Sequence, residues 1–169
     1  MLNSSDLEWR LSGGAGNSNP ALSLGGAMSA TAVDLATTLH NLWDMVSGLE
    51  TAAGDVEYRC IYLLNKSATN TAYGVAEYLA ANTGRADTFI ALGLGTSGIS
   101  GTEQVIADEN TAPAGVTFSA APNLAAAVSP GDLAPGARHA LWLRRTVVAG
   151  AAAVNVVAYS LAIECDSAE

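Results

Sequence analysis

The chain has 169 residues, half of them hydrophobic, with seventeen glycines, Lys66 as its lysine and a formal net charge of −9. That length suits one domain with a real core, while the missing basic footprint argues against nucleic acid as a partner. The two histidines, His40 and His139, and two cysteines, Cys60 and Cys165, leave almost no material for a metal cage or a His-based triad, and no cofactor is expected.

The N-terminus, "MLNSSDLEWR", lacks a basic segment followed by an apolar core, so no secretory signal is expected. Residues 11–33 carry no charge and are dense in Gly, Ser, Ala and Asn, a composition that cannot offset its own ordering entropy in isolation. Leu11, Leu22 and Leu24, with Trp9 upstream, make it too apolar for a simple solvent linker. Two readings follow for residues 1–34: an extended arm that orders on a partner, or an irregular segment packed on its own domain.

Across residues 35–54, Leu35, Leu39, Leu42, Trp43 and Val46 recur at helical spacing and Gly48 would end the helix; a first strand through "LWDMV" competes. From residue 55 the period changes to two. In "EYRCIYLLN", Tyr58, Cys60, Tyr62 and Leu64 share one face while Arg59, Ile61 and Leu63 share the other. Further strands are expected at 72–81, 87–94, 103–107, 115–120, 138–147 and 154–165, each bounded by Gly, Pro, Asn, Asp or Ser. Short strands at this spacing, with no helix of crossover length, predict a mainly β domain over 55–169: an antiparallel β-sandwich, immunoglobulin-like or jelly-roll-like. The uncharged run between Arg145 and Glu164 is long enough to test as a membrane span. Its Gly150, Asn155 and Ser160, with strand-like β-branched content, favour a strand.

Candidate chemistry is sparse. Gly93, Gly95 and Gly98 spell a Gly-x-Gly-x-x-Gly after an apolar run, but no helix follows to face a pyrophosphate, so a glycine-rich turn is expected. Cys60 and Cys165 are expected as buried free thiols, with a disulfide between them as the alternative if their strands are neighbours, and His40 and His139 as structural or solvent-facing residues rather than ligands. The segment 108–110, "DEN", lacks the glycine and distal glutamate of a calcium loop. In "LWLRRTV", Arg144 and Arg145 lie on opposite strand faces; each is either a docking group for carboxylates or half of an internal salt bridge.

Three stretches, "GDVEYRCIYLLN", "LGTSGISGTEQVIADENTAPAGVTFSAAPN" and "SPGDLAPGARHALWLRRTVVAGAAAVN", together resemble virion structural proteins of tailed bacteriophages, in the class of capsid decoration or cement proteins. The resemblance spans roughly residues 35–165. It implies a non-enzymatic role at the capsid surface, assembled in the host cytoplasm without a membrane. The implied partners are the major capsid protein and neighbouring copies, as a dimer or trimer. Trp9, Leu11, Leu22 and Leu24 in the arm, with Trp43, Arg144 and Arg145, are the candidate docking residues. A tail or baseplate component is the structural rival. A carbohydrate- or receptor-binding module, stacking sugar on Tyr73, Tyr78 or Trp142, is the rival from another class.

Overall fold

The computed structural model describes residues 1–34, 41–82, 86–152 and 158–167. Its strands are β1 (Leu7–Leu11), β2 (Gly25–Gly26), β3 (Asp55–Asn65), β4 (Ala72–Asn82), β5 (Thr88–Leu94), β6 (Glu103–Val105), β7 (Val128–Leu133), β8 (Arg138–Val147) and β9 (Tyr159–Ser167). One short helix, α1 (Gly48–Ala53), precedes β3. The architecture is mainly β, as expected, and its sheets are antiparallel.

A four-stranded sheet, ordered β1-β3-β8-β5, packs against a three-stranded sheet, ordered β7-β4-β9. Between them lies the main core, with Leu11, Ile61, Leu63, Ile90, Leu92, Leu141 and Leu143 from the first sheet against Val75, Leu79 and Leu133 from the second. The strand period built this interface: in the β3–β8 register Arg59 faces Leu143, Ile61 faces Leu141 and Leu63 faces His139, all on one side.

The other side of the larger sheet is covered as well. Tyr58, Cys60, Tyr62, Ala140 and Trp142 form a second cluster beneath Ile106, Leu24, Met28, Val116 and Phe118. Part of that cover is the two-stranded ribbon β2–β6. Gly25 comes so close to the Gln104 carbonyl and the Trp142 ring that a Cβ has no room there. The Tyr62 hydroxyl donates to Gly26 O at 2.6 Å and accepts from Glu103 N–H at 2.9 Å. The glycine-rich character of residues 11–33 thus allows backbone to lie directly on aromatic rings.

Several expectations change. Residues 1–34, one reading of which was a projecting arm, are built into the body. β1 pairs with β3 from Leu7↔Asn65 to Leu11↔Ile61, and Trp9 and Leu11 enter the main core. The physical reason is a plain alternation, Glu8 and Arg10 outward and Trp9 and Leu11 inward, with Arg10 ion-paired to Glu8 at 2.6 Å. Of the expected 35–49 helix, residues 35–40 lie outside the described ones and 41–47 are not helical. Gly48, expected to end a helix, opens α1 instead, because Ser47 and Glu50 form a reciprocal capping box. Residues 115–120 make only an isolated bridge, Leu92↔Ser119, rather than a strand. β7 lies where no strand was expected and contains Pro130 and Gly131; at a sheet edge the missing N–H of proline is tolerated. In the last expected strand, 154–157 fall outside the described residues, and β9 runs on to Ser167. Among the described residues no helix is long and apolar enough to cross a membrane.

Candidate functional site

The densest collection of ionisable and aromatic groups lies at the end of the main core where β3 begins and β8 ends. Trp43, 8 % exposed, is inserted there by the segment before α1. Its ring centroid is 5.2 Å from the Arg59 guanidinium carbon and 5.1 Å from that of Arg145. Its indole N–H donates to the Tyr159 hydroxyl at 3.0 Å, which ties the cluster to β9.

Two buried guanidiniums near one ring require compensating charge, since isolated buried ions are very costly. Glu57, directly opposite Arg145 in the β3–β8 register, accepts from the Arg145 Nε and Nη2. Asp44 Oδ1 accepts from Arg145 Nη2 at 2.9 Å, and the Asp44 carbonyl from Nη1 at 2.8 Å. Glu109 accepts from Arg59 Nη2, and its carbonyl accepts from Tyr58 N–H at 2.7 Å. Asn110 completes the join by donating to Asp55 Oδ1 at 2.9 Å and Val56 O at 3.1 Å. The "DEN" segment therefore staples the open edge of β3 beyond the end of β1.

Burial pushes the Glu57 carboxyl up to about 7, against the downward pull of Arg145. Burial likewise raises the Tyr159 phenol to about 12. The carboxylates of Asp44, Glu57 and Glu109 come within 4.8 Å of one another, as do those of Glu50, Asp55 and Glu57. In the first group each carboxylate already holds a guanidinium, so arginines fill the role a cation would take. The arrangement is an ion-pair network that joins separate chain segments.

The candidate docking residues lie in separate environments. Trp9 and Leu11 are core residues, and Trp43 joins them in the same cluster. Leu22 is 58 % exposed on a short 3-10 turn, whereas Leu24 packs on the second cluster. Arg145 is buried at 4 % exposure, and its internal salt bridge is the alternative realised. Arg144, half-buried on the opposite face, lies 5.1 Å from the Phe118 ring. Trp43 and Arg145 are the pair brought together. Glu57, Arg59, Asp44, Glu109 and Tyr159 were not singled out as partners. The available signal was the shared strand parity of Glu57 and Arg59, which becomes informative only once the pairing with β8 is known.

Cys60 and Cys165 are free thiols, and burial raises the pKa of both. Trp142 is fully buried, which removes it as a sugar platform, while Tyr73 is exposed. His139 pairs across the sandwich with Glu77 at 2.7 Å; His40 lies outside the described residues. Of the three motif glycines only Gly98 has a positive φ, +72°. Gly93 is pressed against Val116 and Phe118, and Gly95 against Glu103 and Ala140, so close approach explains those two. No family model, curated protein or solved structure matches the chain.

Proposed function

We propose that this chain is a non-enzymatic structural protein of a tailed-bacteriophage virion, and within that class a capsid decoration protein that binds the major capsid lattice. The observation that carries the reading is the resemblance of residues 35–165, above all the Tyr-Arg-Cys strand β3 and the Trp-Leu-Arg-Arg strand β8. Those two strands lie side by side at the centre of the larger sheet. The use made of their charged side chains supports it further: Arg59, Arg145 and Glu57 are buried in a network that joins segments of the fold. Decoration asks for such a body, compact and internally braced, that contacts the lattice and its own copies as a symmetric oligomer.

Counting copies in purified particles by quantitative mass spectrometry tests the reading. Hundreds of copies per particle, retained on heads separated from tails, are expected. A handful of copies confined to tails would move the protein to the tail or baseplate, and absence from particles would reject the virion role.

A further inference from the structure

Most outer strands of the two main sheets are covered or blunted. β1 is flanked by residues 29–33: Leu11 N–H donates to Thr31 O at 3.0 Å, Ser29 N–H to Leu11 O at 2.8 Å and Val33 N–H to Trp9 O at 2.9 Å. β5 exchanges two bonds of 2.8 Å with Ser119. β7 carries Pro130 and a left-handed Gly131, φ +91°, which spoil it as a pairing template.

β9 is different. It has nine residues and pairs with β4 on one side; among the described residues no backbone hydrogen bond reaches its other side. Its inward row, Tyr159, Leu161, Ile163 and Cys165, packs on the core yet stays only half-buried. A groove of about 500 Å³ lies alongside, with Leu2, Leu7, Leu124 and Ile163 among its apolar lining. The charged residues of that lining, Glu164 and Asp166, are both acidic. The Tyr78 hydroxyl fixes Glu164 by donating to its Oε1 at 2.6 Å.

We propose that β9 and this groove receive an extended segment of a partner protein, added as a further strand, whose side chains alternate between apolar and basic. Backbone hydrogen bonds to the unpaired edge supply affinity, and the alternation supplies selectivity. Apolar side chains enter the groove, while Lys or Arg meets Glu164 and Asp166. A second copy of this chain is the poorer occupant: each copy carries −9, and pairing β9 with itself would bring four carboxylates together. The proposal does not depend on the virion reading, and a failed particle count leaves it standing.

The test uses the full chain and two β9-length peptides, one alternating Lys and Val, the other Glu and Val. Binding is followed by titration calorimetry, and strand addition by hydrogen–deuterium exchange. The Lys–Val peptide is expected to bind, to slow exchange in 159–167, and to weaken with added salt. Replacing both acids, Glu164→Lys with Asp166→Lys, should weaken it by about fivefold or more, as two exposed charge pairs allow. Asp166→Lys alone, which spares the Tyr78 bond, should give part of that loss. Unchanged exchange in 159–167, equal affinity for both peptides, or β9 protection that grows with protein concentration alone would each overturn the proposal.

Discussion

Trp43 sits where the segment before α1 meets β3, β8 and β9, and its ring lies beside two guanidiniums while its N–H holds Tyr159. Trp43→Ala removes both kinds of contact and leaves a cavity, so a loss of about 3–5 kcal/mol is expected in urea unfolding. Trp43→Phe keeps a ring face and loses the indole donor, for a further-reduced cost of about 1 kcal/mol plus the difference in volume. A smaller penalty for Ala than for Phe would show that the ring is not braced as described. Glu57 makes a second test. Its folded pKa of about 7 exceeds the ordinary 4.5, so the folded state holds the proton more tightly than the unfolded chain. Its contribution to stability is therefore complete below pH 4.5 and is lost as pH rises through about 7. The difference in urea midpoint between wild type and Glu57→Gln should grow in favour of Gln across that window. A difference independent of pH would show that Glu57 titrates normally.

At the scale of the element, the glycines of 93–98 separate two uses of one residue type. Gly98 adopts φ +72° with open space around the missing Cβ, so Gly98→Ala meets only backbone strain, about 1–2 kcal/mol. Gly95 has an ordinary φ, but a Cβ there runs into the Glu103 carboxylate and the Ala140 methyl. Gly95→Ala should be the more damaging by thermal unfolding, and the reverse order would contradict the packing. These positions also show what was legible in the sequence. The absence of a helical pattern after Gly98 was enough to expect a glycine-rich turn; which glycines serve turns and which serve contact depends on partners distant in sequence. The alternation in β3 and β8 was legible because both strands are long and regular. β1 was missed because its alternation runs for only five residues, and β7 because Pro130 and Gly131 interrupt it. The ion-pair network was not legible, since its pairs span separations such as Asp44 to Arg145 that only strand register defines. The integration of β1 reverses the outcome expected for a free arm. Deleting residues 1–34 should abolish the cooperative thermal transition, because Trp9 and Leu11 leave the core and the edge of β3 is bared.

For the molecule as a whole, the question is what sets one sheet against the other, because apolar side chains alone tolerate sliding. His139 on β8 and Glu77 on β4 supply a directional contact across the core, Nε2 to Oε1 at 2.7 Å, with both side chains buried. Both ring nitrogens of His139 face oxygen acceptors, Nδ1 the Ala140 carbonyl at 3.1 Å and Nε2 the Glu77 carboxyl, so the ring orientation is fixed from both ends. Such a pair adds little net stability over apolar residues of similar volume, yet removing one member strands the other in the core. Glu77→Leu or His139→Leu alone should therefore cost about 3–5 kcal/mol, and the double replacement much less than their sum. Urea unfolding of the four proteins measures the coupling. Additive losses would mean that the two side chains act separately, and the packing of the sheets would then rest on the apolar core alone.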